Sequence, residues 1–160
     1  AGELAQRFYR ANEENPQAVA DWAKALPPGD TRVQAVTQVI GDWADDDAVG
    51  AGKFLQGLGS APEYDDARQR YAFVVRRQDP AGALTWASTI ADEQKRMQTT
   101  QGILMVWSRH QPEQAQAWAA SNGVELARPG GGGRGPGGQF GFGDRGRRGG
   151  GGGPGGGRGQ

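Results

Sequence analysis

The chain has no cysteine, one histidine (His110) and two methionines among its 160 residues. Without thiols there is no disulfide, zinc–thiolate centre, iron–sulfur cluster or cysteine nucleophile, and the redox compartment stays open. A single imidazole excludes a multi-histidine metal site. No run approaches the roughly 20 apolar residues of a membrane helix, and no charged-then-apolar leader stands at Ala1. We expect neither cofactor nor metal, and no membrane span.

Acidic residues are scarce where basic ones gather. Residues 1–127 hold 12 Lys and Arg against 17 Asp and Glu, whereas 128–160 hold 6 Arg and one Asp. Glycine divides the same way, with 19 of the 29 in 128–160. The closing segment is too poor in apolar side chains to bury a core, so the chain reads as a helical domain over 1–124 and a disordered Gly/Arg tail over 125–160.

What the first part holds is a repeat. Pro16, Ala48, Pro80 and Pro112 stand 32 residues apart, and so do Trp22, Phe54, Trp86 and Trp118. Leu26, Leu58 and Ile90 form another column; Val39, Tyr71 and Ile103, then Ile40, Ala72 and Leu104, then Trp43, Val75 and Trp107 form three more. Val19, Trp22, Ala23 and Leu26 have the spacing of a short amphipathic helix, A, and Val33, Val36, Ile40 and Trp43 that of a second helix, B.

The punctuation agrees. Asn15, Asp47, Asp79 and Gln111 precede the first residue of each A helix, where Pro costs no hydrogen bond. Ser60-Ala61-Pro62-Glu63 has the form of a capping box for the second B helix, and Asp92 is placed to cap the third. Asn122-Gly123 ends the last A helix. Residues 1–14 fit the B register, with Leu4, Phe8 and Ala11 in the columns of Val36, Ile40 and Trp43. The expected fold is all-α: about eight helices in B–A order, stacked as hairpins into an α-solenoid, because no single hairpin buries its own aromatic stripe. A chain opening in mid-hairpin leads us to expect further sequence upstream of Ala1.

Asp79-Pro80, Ala83, Trp86 and Ile90, with Asn15-Pro16, Val19, Trp22, Leu26 and Pro27, resemble tetratricopeptide-like helical repeats. The closer likeness is to bacterial repeat proteins with the running pattern Asp-Pro-x-x-Ala-x-x-Trp-x-x-x-Leu-Pro, over residues 1–124. The period is 32 residues rather than about 34. The resemblance implies a scaffold that binds other proteins or assembles with itself, no enzymatic reaction, and an exported or cell-envelope location rather than a cytoplasmic one.

Among chemistry-bearing residues, Asp45-Asp46-Asp47 lacks the alternating spacing of a calcium loop and fits a helix cap. Glu63, Asp65 and Asp66 are expected as partners of a helix dipole. Arg68, Arg70, Arg76 and Arg77 read as a solvated face with Asp65 and Asp66 beside it, although Arg68 falls in the apolar column of Val36 and Thr100. His110 stands in a polar column with no nucleophile partner. On helix A the small columns Ala18, Gly50, Gly82 and Ala25, Gly57, Thr89 are expected to let A helices pack closely. Asp21, Lys53 and Thr85 between them are the candidate partner-binding residues.

The tail offers a rival reading. Arg134, Arg145, Arg147, Arg148 and Arg158, with Phe140 and Phe142 interleaved, resemble an Arg/Gly-rich RNA-binding tail, in which Arg meets phosphate and both residue types stack on bases. The other possibilities are a plain solvated extension, or a basic tail returning to the acidic body.

Overall fold

The computed structural model describes residues 2–126. Within them the chain is all-α, with eight helices in the expected alternation. The B helices are α1 (Gly2–Ala11), α3 (Asp30–Asp46), α5 (Asp65–Val75) and α7 (Glu93–His110); the A helices are α2 (Pro16–Ala25), α4 (Ala48–Gly57), α6 (Pro80–Ser88) and α8 (Pro112–Ser121). A single 3-10 turn, Pro62–Tyr64, leads into α5. The tail residues Arg134, Phe140, Phe142, Arg145, Arg147, Arg148 and Arg158 lie outside the described residues.

The B helices stack on one another in succession, α1 on α3, α3 on α5 and α5 on α7, and the A helices pack against their flanking B helices. The repeating columns become the core. Val36, Val39, Ile40, Ile103 and Leu104 are fully buried or nearly so, as are Val19, Leu55 and Leu84 on the A side. Each such side chain contributes about 1.5–3 kcal/mol through the area it withdraws from water. The A-helix aromatics stay half-buried and lean on the preceding B helix: Trp22 on Phe8 with centroids 4.9 Å apart, Phe54 on Trp43 at 5.9 Å, and Trp86 edge-on to Tyr71 at 4.9 Å.

The caps form where acidic or amide side chains were placed for them. Asn15, Asp47, Asp79 and Asp92 accept from the backbone N–H of Ala18, Gly50, Gly82 and Lys95 at 3.2, 3.0, 2.8 and 2.7 Å. Gln111 does not cap α8, because its Oε1 accepts instead from the indole Nε1 of Trp107 at 2.9 Å. At the far end Gly123 takes φ 65° and Val124 N–H reaches back to Ala119 O at 2.9 Å, closing α8 with a left-handed turn.

Four expectations are corrected by the packing. The capping box at Ser60–Glu63 does not form; Glu63 turns across to Arg32 on α3, 2.6 Å away. On α1 the buried side chains are Ala5 and Tyr9, while Leu4 is 62% and Phe8 38% exposed. The columns of Leu4 and Phe8 are fully buried in α3, which has an A helix before it; α1 has none among the described residues and buries the side that faces α3. The glycines in the small columns do not border a neighbouring A helix. A Cβ at Gly50 or Gly82 would meet the carboxylate of its own cap, Asp47 or Asp79, and one at Gly57 would meet nothing.

The fourth correction concerns Arg68 and Asp65, which are 2% and 3% exposed rather than solvated. Arg68 donates to the carboxylate of Asp65 at 2.7 Å, to Ala61 O at 3.0 Å and to Gly59 O. Asp65 also accepts from Ala91 N–H at 3.1 Å and Asp92 N–H at 2.9 Å. Burial by itself would raise the Asp65 pKa, but the N–H groups of Asp92 and Ala91, together with Arg68, outweigh it and hold the carboxyl below its usual range. The pair therefore joins the loop before α5 to the loop before α7.

Candidate functional site

The expected partner-binding residues Asp21, Lys53 and Thr85 are exposed on α2, α4 and α6 at one register of the repeat. Thr85 spends its hydroxyl on Ala81 O within its own helix, at 3.1 Å. None of the three borders the cavities described below. On the A helices these three side chains stand one repeat apart and point to solvent.

Concavity lies instead along the B helices. One open cavity of about 520 Å³ runs between α3 and α5 and is walled by Gln34, Gln38, Gln69, Arg70 and Phe73. A second, of about 290 Å³, lies nearer the C-terminal ends of these helices, walled by Asp45, Arg70, Phe73, Val74, Arg76 and Arg77. A third, of about 680 Å³, opens between the ends of α5 and α7, with Arg76, Arg77, Asp79, Val106, Trp107 and His110 around it. Arg70 and Phe73 border the first and second; Arg76 and Arg77 border the second and third. Through these shared side chains the three cavities adjoin in a row, a groove along the B helices.

Local sequence explains why these side chains meet. Arg70, Phe73 and Arg77 follow at i, i+3 and i+7, one face of a helix. Arg76 folds its guanidinium over the Phe73 ring, 5.3 Å from the centroid, and donates to Phe73 O. Arg70 extends across Gly41, where a Cβ would lie 2.5 Å from its Nε. One repeat later the sizes are exchanged: Phe73 covers Gly102, whose Cβ would lie 3.1 Å from the ring.

The electrostatics of the groove are uneven. Among the described residues the ion pairs are Arg32–Glu63, Arg68–Asp65 and Lys95–Asp66, so Arg70, Arg76 and Arg77 have no carboxylate partner. Of the acidic side chains at its walls, Asp66 is held by Lys95 and Asp79 by the Gly82 cap. Only Asp45 is uncommitted. The carboxylates expected beside the arginines are engaged elsewhere: Asp65 inward with Arg68, Asp66 across to α7. The signal was present in the sequence as the Arg70–Phe73–Arg77 stripe.

His110 is exposed at the end of α7, as expected, and lines the third cavity. Asp46 accepts from the Tyr9 hydroxyl at 2.9 Å and Asp47 caps α4, which accounts for two of the three carboxylates in Asp45–Asp47. Burial, followed by the hydrogen bond to Asp46, pushes the Tyr9 pKa up. Among the described residues no group of three or more acidic or imidazole side chains is placed to hold a metal ion, and no helix is long and apolar enough to cross a membrane. The chain matches no family model, no curated protein and no solved structure.

Proposed function

We propose that this chain is a non-enzymatic protein-binding scaffold, an assembly module whose stacked helical hairpins present a groove to a partner. The observation that carries the reading is the groove along α3, α5 and α7, three open, adjoining cavities bordered by Arg70, Arg76 and Arg77, which have no carboxylate partner among the described residues. A rigid stack of helices is suited to this, since ordering the site costs little on binding. The likeness to tetratricopeptide-like repeats points the same way, as fold-level analogy.

The experiment is capture by the full chain, followed by a binary titration with each purified partner. The expected result is a saturable complex that survives deletion of 128–160. A chain that gives no saturable protein complex, yet retains RNA or single-stranded DNA through 128–160, overturns the reading in favour of non-specific nucleic-acid binding by the Arg/Gly-rich segment. The composition of that segment, 6 Arg against one Asp, is what favours the second reading.

A further inference from the structure

We infer that the groove along the B helices takes an acidic, extended peptide segment in which carboxylates alternate with an occasional apolar side chain. This rests on the scaffold reading and names the chemistry of the partner.

The inference follows from what the groove offers and what it withholds. Three guanidinium groups, those of Arg70, Arg76 and Arg77, border the middle cavity without a carboxylate partner among the described residues. Arg77 is exposed and Arg76 half-buried, so both can meet a ligand without desolvating a pair that already exists. Planar guanidinium groups fit carboxylates in bidentate fashion. Beside them lie half-buried Phe73 and Val74, with Val106 in the adjoining cavity, apolar surface that a polyanion of phosphates does not use and that a leucine-like side chain does.

The body argues against nucleic acid at this site. Residues 1–127 carry an excess of acidic over basic side chains, 17 against 12, so the long-range field repels a phosphate backbone, and the attraction is local to the groove. Asp45 at the rim sharpens this by opposing a continuous run of phosphates, while a peptide with spaced carboxylates passes it.

The placement of Arg70 also depends on a specific neighbour. Its side chain lies over Gly41, Nε nearest, in space that any larger residue at that place on α3 would take from it. Gly102, the residue one repeat after Arg70, lies beneath Phe73 and offers no charge. The arginine pair Arg70 and Arg77 is therefore confined to the junction of α3 and α5, which gives an acidic segment one register rather than several.

The test is fluorescence anisotropy with the full chain and a short labelled peptide of glutamates interrupted by leucine. Its glutamine analogue and a poly-U of equal formal charge serve as competitors. Saturable binding is expected, weakened about tenfold in the double variant Arg70→Gln, Arg77→Gln, as loss of two exposed charge pairs implies. The double variant Arg70→Lys, Arg77→Lys should keep most of it, and the full-length variant Arg145→Gln, Arg147→Gln, Arg148→Gln should bind as the parent does. Helix content and thermal midpoint report that each variant is folded. Absence of saturable binding, binding unchanged in the Arg70→Gln, Arg77→Gln variant, or displacement by poly-U as readily as by the peptide itself overturns the inference. A partner captured by the chain but unaffected by the groove variant would overturn it and leave the scaffold reading standing.

Discussion

Arg68 and Asp65 form an ion pair one helical turn apart at 2.7 Å, and each uses its remaining valence on backbone: Arg68 on the carbonyls of Gly59 and Ala61, Asp65 on the N–H groups of Ala91 and Asp92. No other copy of the repeat among the described residues has this arrangement. Val36 and Thr100 occupy the position of Arg68 in the neighbouring copies. The pair therefore marks α5 as the place where two loops are held together by a polar contact rather than by apolar packing.

Replacing Arg68 by Met leaves Asp65 ionised and buried without its cation, and frees the carbonyls of Gly59 and Ala61. A loss of about 3–5 kcal/mol is expected. Asp65→Asn, Arg68→Met should recover little of it, because the loop groups at Gly59, Ala61, Ala91 and Asp92 remain without charged partners. Urea unfolding monitored by helix content checks both; full recovery in the double variant would mean that the loop contacts contribute nothing.

Stability should form a plateau in pH with a fall at each end. Asp65 has its folded pKa lowered from 3.8, so its contribution is present above that value and is lost as the pH falls through the folded pKa. All three tyrosines, Tyr9, Tyr64 and Tyr71, are raised above 10.0, first by burial and then by nearby carboxylates. Their contribution is present below pH 10 and declines above it, as the unfolded chain ionises first. Thermal midpoints across the range check this, and Tyr9→Phe should flatten the alkaline limb.

Two glycines of α4 should respond with opposite sign to the same change. At Gly52 a Cβ would lie 2.6 Å from the Tyr71 hydroxyl, which is fixed by donation to Ala48 O at 2.8 Å and by the ring's contact with Trp86. Gly52→Ala should destabilise by about 1–3 kcal/mol through overpacking. At Gly57 nothing lies within 4 Å, and Gly57→Ala should stabilise by up to about 1 kcal/mol through helix propensity. Denaturant midpoints of the two variants decide it.

Removing the Asp79 side chain should cost about 1 kcal/mol, since Gly82 N–H loses its acceptor. Gln111→Ala should cost a similar amount by a different route. No cap is lost there, but the indole N–H of the buried Trp107 loses its only acceptor. The two are told apart by Trp fluorescence, which should shift in the second variant alone.

Much of the architecture was legible because the 32-residue columns carry apolar side chains at helical spacing, and because Asp47, Asp79 and Asp92 stand where only a cap explains them. What could not be read were choices between competing partners. Glu63 satisfies a capping-box pattern, yet Arg32 on another helix offers a charge. Gln111 stands in a capping column, yet Trp107 one turn before it has an indole N–H to satisfy.

The same competition hid the candidate site. Asp65 and Asp66 lie near Arg68 and Arg70 in sequence, which made a neutralised surface the simplest reading. The fold sends Asp65 inward and Asp66 to Lys95. Only tertiary contacts reveal that Arg70, Arg76 and Arg77 are left over. On the A helices, Asp21, Lys53 and Thr85 are exposed at one register of the repeat, apart from the cavities that Arg70, Arg76 and Arg77 border.

A stack in which each hairpin met only its neighbours through interchangeable apolar contacts would unravel one unit at a time from either end. The carboxylate of Asp65 works against this in the middle of the chain. To detach α7 from α5 is to strip Asp65 of the Ala91 and Asp92 amides while it is still enclosed with Arg68, so that opening step carries an electrostatic penalty its counterparts lack. Amide exchange should accordingly be fastest in α1 and α8 and slowest across the α5–α7 junction, with the central hairpins opening together as a single cooperative unit.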